Sequence, residues 1–129
     1  QAQMQHIQLQ ISIDGSFLHR SLSESDWIDL LGILLDNALE ASSGGDTVYL
    51  QAADEVNALL LLVSNPCPPI SRTEMTEMFR RGWSTKADQG RGYGLYNVRK
   101  MVEQHDGKII VKNEEKNGQN YLTIGALIS

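Results

Sequence analysis

The sequence predicts an α/β sandwich: a mixed, mostly antiparallel sheet covered on one face by helices. Three observations predict it. Residues 7–13, Ile-Gln-Leu-Gln-Ile-Ser-Ile, alternate strictly between apolar and polar, the pattern of a half-buried strand. Apolar residues recur at helical spacing over residues 26–42 and again over 94–105. Four further strand-like runs fall into two pairs, each joined by a short polar connection that suits a hairpin.

Each element has a local cause. Asp14-Gly15 ends the first strand as a turn. Ser23 caps the first helix, with Asp26 three residues on, and the helix runs to about Ser42 before Ser43-Gly44-Gly45 stops it. Thr47–Ala53 and Ala58–Ser64 form the first hairpin. Pro66, Pro68 and Pro69 are expected to break regular structure, and Ser71–Phe79 to form a short helix. Residues 82–94 carry no apolar period and read as loop. Leu95, Val98, Met101 and Val102 define one face of a helix over about Gly94–His105, which Asp106-Gly107 terminates. Lys108–Asn113 and Tyr121–Ile128 are the last two strands, around a turn at Glu114–Gly118.

Composition narrows the function. At 129 residues one domain is expected, and 41% hydrophobic with 21% charged residues supports a packed core, not a disordered tail. No apolar stretch approaches the ~20 residues of a membrane span. A single cysteine, Cys67, allows no internal disulfide and fits a reducing compartment. His6, His19 and His105 stand at no metal-ligand spacing to Cys67 or to one another, so a zinc site is not expected. The net charge of −5 speaks against bulk nucleic-acid binding. The charge is unevenly spread, however. Residues 79–100 carry Arg80, Arg81, Lys86, Arg91, Arg99 and Lys100 against Asp88 alone, a basic segment in an otherwise acidic chain that can steer a small anion. The chain begins at Gln1 without a signal-peptide pattern and is expected to be a piece of a longer protein.

Three motifs carry chemistry. Projected at about 100° per residue, the first helix has a broad apolar arc from Trp27, Ile28, Leu30, Leu31, Leu34, Leu35, Ala38, Leu39 and Ala41. Asp29, Asp36, Asn37, Glu40 and Ile33 lie outside it. Asn37 sits at the boundary, where an uncharged amide can reach a ligand or metal; by periodicity alone the polar arc reads equally as a solvated face. Gly90-Arg91-Gly92-Tyr93-Gly94 precedes a helix, so close-approaching backbone and a helix N-terminus combine as an anion site. Taken alone, the run is also compatible with a surface loop. Just upstream, Phe79-Arg80-Arg81-Gly82-Trp83-Ser84-Thr85-Lys86 offers two hydroxyls and an ammonium as phosphate donors, with Phe79 and Trp83 as packing anchors.

Together the three elements resemble the boxes of the GHKL ATPases (gyrase, heat-shock chaperone, histidine kinase, mismatch repair), whose fold is the two-layer Bergerat sandwich. Leu35-Asp36-Asn37-Ala38-Leu39-Glu40-Ala41 resembles the N-box, Phe79–Lys86 the F-box, and Gly90–Gly94 the second glycine box. Order and separation are similar to those in the catalytic ATP-binding domain of sensor histidine kinases, in particular the peptide-pheromone quorum-sensing subfamily. The resemblance implies Mg-ATP binding and transfer of the γ-phosphoryl to a histidine on a separate dimerisation domain, with a response regulator downstream. It implies the cytoplasmic part of a bacterial, membrane-bound sensor, monomeric as an isolated domain. It places Asn37 on Mg²⁺ and Ala41 beside the nucleotide. It sets Ser84, Thr85 and Lys86 near the phosphates, Lys86 in a catalytic role. It assigns Gly90, Arg91, Gly92, Gly94 and Leu95 to the end of a lid that spans about Cys67 to Gln89.

The chain departs from the family twice. The usual Asp-x-Gly-x-Gly box is here Ser64-Asn65-Pro66-Cys67-Pro68, so Asn65 stands where an Asp accepts the adenine amino group. A neutral amide is the weaker acceptor, which predicts weakened nucleotide affinity. Ile33, one turn before Asn37, stands where gyrase-like members carry a general-base Glu and many histidine kinases an Asn. It can neither activate water nor ligate a metal, which predicts poor stand-alone hydrolysis. An anti-sigma-type serine kinase and a degenerate nucleotide-binding or protein-docking module are the other readings.

Overall fold

The structure, a computed structural model, describes residues 6–14, 23–55, 58–80 and 94–128. The chain runs β1 (Gln8–Asp14), α1 (Glu24–Glu40), β2 (Thr47–Glu55), β3 (Ala58–Pro66), α2 (Arg72–Glu77), α3 (Gly94–Gln104), β4 (Lys108–Lys116) and β5 (Gln119–Ile128). The strands form one sheet in the order β1-β2-β3-β5-β4. Only β1–β2 is parallel, because α1 carries the chain back between them; the other three pairings are antiparallel. The expected mixed, mostly antiparallel sheet is therefore present, with the predicted order of elements.

The core lies between the sheet and two helices. Leu30, Leu34 and Ala38 are the fully buried stripe of α1, and Leu95, Val98 and Val102 that of α3. They meet Val48 and Leu50 from β2, Leu59, Leu61 and Val63 from β3, and Leu122, Ile124, Ala126 and Ile128 from β5. Each such aliphatic side chain contributes roughly 1.5–3 kcal/mol by leaving water. The Ser23 hydroxyl accepts from the Asp26 N–H at 3.1 Å, so the expected cap forms. Ser71 and Glu74 close a capping box on α2.

The structure corrects three expectations. β1 is an edge strand, and Leu9, Ile11 and Ile13 are exposed, not half-buried. They lie beside Val48, Leu50 and Ala52 on the helix-facing side, but α1 and α3 pack over β3, β4 and β5 and leave this edge uncovered. Ile28 on α1 is likewise 64% exposed. β3 continues through Pro66, which pairs with Tyr121 as the strand's last residue, where a missing N–H is tolerated. The final hairpin is tighter than expected: Asn117 (φ 53°) and Gly118 (φ 81°) alone make the turn, and the strands extend to Lys116 and Gln119. At the end of α3 it is Asp106 that takes the left-handed conformation, at φ 58°. Gly107 is needed for space, since a Cβ there would lie 2.8 Å from the Leu127 carbonyl oxygen.

Candidate functional site

Asn37 occupies the last turn of α1, where its carbonyl accepts from the N–H of the C-cap residue Ala41 at 3.2 Å. Its side chain is half-buried, while Asp36 and Glu40 on either side are exposed. The amide thus stands at the rim of the apolar stripe, as the helical projection placed it. Ala41 is exposed at the end of the helix.

Four residues before Asn37, on the same helix face, is Ile33. The projection grouped it with the polar arc, yet it is half-buried and packs against the core. Its neighbour is the start of α3: a Cβ built on Gly94 would meet Ile33 Cγ2 at 3.4 Å. The helix following the glycine-rich run therefore begins next to the face of α1 that carries Asn37. The first N–H groups of such a helix have no intrahelical partner and are available to an anion. Leu95 is buried at 6% exposure, so its backbone N–H, not its side chain, is what it can offer a ligand. Ser84, Thr85, Lys86, Gly90, Arg91 and Gly92 lie outside the described residues, as do Trp83, Tyr93 and the expected lid from residue 81 on. Phe79 is buried as an anchor, and Tyr96 lies on the α3 surface with the cations of Arg99 and Lys100 each 5.6 Å from its ring centre.

At the end of β3, Asn65 is only 2% exposed. Its Nδ2 donates to the Pro66 carbonyl at 2.9 Å. The reversed amide would set two oxygens against each other, so this contact fixes which end of the amide is which. Oδ1 is then the end of the amide that the Pro66 carbonyl does not engage. The register puts Asn65 beside Leu122, and Leu122 beside Asn113.

Sequence reasoning missed a clip that holds the segment after β3. Cys67 N–H donates to the Asn120 carbonyl and Asn120 Nδ2 returns to the Cys67 carbonyl, both at 3.0 Å. Asn113 accepts from the Ile70 N–H at 2.9 Å and donates to the Tyr121 carbonyl at 3.1 Å. Both amides also face the Cys67 sulfur, Asn120 at 3.6 Å and Asn113 at 3.7 Å. Burial pushes the Cys67 thiol above its ordinary value, and the two amide donors offset this in part. Nothing in the spacing of Asn113 and Asn120 signalled this role. Among the described residues no cluster of three or more His, Cys, Asp or Glu side chains is placed to hold a metal. A divalent cation on this face would have the Asn37 amide oxygen as one protein ligand and would take its other oxygens from a bound ligand or water.

Comparison with known proteins places the chain. The profile of the family "Histidine kinase-, DNA gyrase B-, and HSP90-like ATPase" matches residues 23–125. The chain is 31% identical over 121 residues to a probable C4-dicarboxylate sensor kinase of Halalkalibacterium halodurans, covering 89% of this chain and 23% of that protein. It is 31% identical over 100 residues to the sensor histidine kinase CitA of Klebsiella pneumoniae, covering 74% of this chain and 18% of the relative. The chain therefore spans less than a quarter of the curated relatives it matches. Its fold superposes on the catalytic domain of histidine kinase ThkA with a TM-score of 0.79 at 26% identity, covering 95% of this chain and 80% of that one. The first of the two curated relatives is named for C4-dicarboxylate sensing, and neither is named for pheromone sensing. The chain belongs to the family of histidine kinase-, DNA gyrase B- and HSP90-like ATPases.

Proposed function

We propose that this domain binds Mg-ATP and donates the γ-phosphoryl to a histidine on a separate dimerisation domain, within two-component signalling. The observation that carries the reading is the abutment of α3 on α1. It brings the helix start behind the glycine-rich run next to the face that presents Asn37. Asn37 would ligate Mg²⁺ through its amide oxygen, and the metal would neutralise charge on the β- and γ-oxygens. The first N–H groups of α3, with Gly90, Arg91, Gly92 and Gly94, would hold the phosphates. Ser84, Thr85 and Lys86 would approach them from the lid, with Lys86 stabilising charge on the transferring group.

Asn65 would accept from the adenine amino group through Oδ1, the end of the amide that the Pro66 carbonyl leaves free. A purine with a carbonyl at that position would meet an acceptor with an acceptor. The amide is neutral, so affinity should be lower than an aspartate would give. In the transfer itself the bond from the γ-phosphorus to the ADP oxygen breaks. A bond to an imidazole nitrogen forms, and the imidazole proton leaves to solvent. Positioning and charge stabilisation do most of the work, which is compatible with an apolar Ile33.

The parent protein is read as a bacterial membrane sensor with this domain on the cytoplasmic side and a response regulator as its target. Among the described residues no helix is long and apolar enough to cross a membrane. The peptide-pheromone assignment rests on the altered box at Asn65 and on the resemblance of the N-box alone. The deciding experiment is a Mg-ATP titration of the native domain and Asn37→Ala, repeated with the phosphoacceptor domain in trans. Saturable binding, lost in Asn37→Ala, and label on the acceptor histidine are expected. Phosphoserine on a partner would favour the anti-sigma-type kinase, and no binding would leave the docking module. Hydrolysis at several turnovers per second by the isolated domain would count against the kinase reading.

A further inference from the structure

Ile33 is a β-branched, half-buried side chain on the α1 face that carries Asn37 one turn later. Gly94 approaches it as the first residue of α3, so close that a single added methyl would already be in van der Waals contact at 3.4 Å. The helices touch here through a side chain with few rotamers and a residue with none. A polar side chain at position 33 would be solvated and would hold the helices less firmly. Ile33 is therefore the contact nearest Asn37 that sets its distance from the first turn of α3.

We propose that Ile33 is a positioning residue for the polyphosphate: it fixes the gap in which an Asn37-bound cation and the α3 N-terminus engage the same nucleoside triphosphate. The inference rests on the Mg-ATP reading above. It assigns Ile33 no contact with the nucleotide. Its effect is confined to the phosphate end, because the base would be held at the end of β3, by Asn65. A ligand without β- and γ-phosphates should be indifferent to residue 33.

The test is calorimetric titration of Mg-ATP and, separately, adenosine into the native domain, Ile33→Ala and Ile33→Val. Ile33→Ala should weaken Mg-ATP by on the order of tenfold, as misplacement of paired binding groups does, and change adenosine binding by less than about twofold. Ile33→Val, which keeps the β-branch, should restore most of the Mg-ATP affinity. If Ile33→Ala does not fold, Ile33→Leu is read in its place: it keeps the volume but removes the Cγ2 methyl that faces Gly94, and should likewise weaken Mg-ATP alone. Equal loss for both ligands, or loss for neither, overturns the positioning role while leaving the Mg-ATP reading intact. A native domain that binds no Mg-ATP overturns that reading, and this inference with it.

Discussion

The hydroxyl oxygens of Ser64 and Thr123 lie 2.6 Å apart across the β3–β5 ladder, and both side chains are buried. They are register partners directly before the Asn65–Leu122 pair. Each hydroxyl therefore satisfies the other, and the pair ties the two strands together at the point where β3 delivers Asn65. Thr123→Val keeps the shape and removes the partner, leaving a buried hydroxyl at Ser64 at a cost of roughly 1–3 kcal/mol. Replacing both, as Ser64→Ala with Thr123→Val, should cost less than the sum of the single changes. A urea-denaturation double-mutant cycle measures this, and additive losses would show that the hydroxyls do not depend on each other.

Gly125 sits between Leu62 of β3 and Ile110 of β4 in the middle of the sheet. A Cβ there would come within 1.9 Å of the Leu61 carbonyl oxygen, which is backbone and cannot turn aside. Gly125→Ala must push β3 from β5 and should cost about 3 kcal/mol, the upper part of the overpacking range. Gly118→Ala offers the contrast. It meets open space, but φ is +81°, so its penalty is conformational and should stay near ~1 kcal/mol. Thermal unfolding of the two variants should rank them in that order.

Most of the fold was legible because periodicity reports it directly. Leu30, Leu34 and Ala38, or Val98 and Val102, recur at helical spacing because one face is dry. What stayed hidden depends on where elements sit relative to one another. Ile11 looks like a core residue in any window, and only the placement of α1 and α3 over the central strands exposes it. Ile33 is the converse case, a residue on the polar arc that the arrival of α3 buries. In the candidate site, the place of Asn37 at the edge of the apolar stripe was readable from the helical period. The Asn113–Asn120 clip was not, because it joins amides 46 and 53 residues from Cys67 and leaves no local pattern. The orientation of Asn65 was hidden for a different reason: it is decided by the backbone carbonyl of the next residue, whose direction residue type does not report.

That carbonyl makes Asn65→Asp a sharper change than it looks. Aspartate is the family's usual residue here, but in this chain the position must also donate to Pro66. A carboxylate would face the carbonyl oxygen with no proton between them in a site only 2% exposed. Asn65→Asp should therefore destabilise the free domain by roughly 1–3 kcal/mol at neutral pH. The penalty should shrink as pH falls, because the protonated carboxyl regains a donor. Melting curves of native and variant proteins at acid and neutral pH test this; a penalty independent of pH would mean that Pro66 is not the cause.

Cys67 gives the opposite pH dependence. Burial disfavours its thiolate and raises the thiol above 9.0, while the N–H groups of Asn120 and Asn113 pull in the other direction without cancelling the effect. The folded chain then holds this proton to higher pH than the unfolded chain does. Where the unfolded thiol has ionised and the folded one has not, stability falls as pH rises; well below 9.0 the group contributes no slope. Cys67→Ser should make the alkaline loss of stability shallower and leave the curve below neutral pH unchanged in shape. The same burial should slow alkylation. At pH 7.5 iodoacetamide should react with Cys67 in the folded domain more slowly than in the urea-unfolded chain, since only the thiolate is the nucleophile. Equal rates, or an alkaline profile that Cys67→Ser leaves unaltered, would show that the amide clip compensates the burial in full.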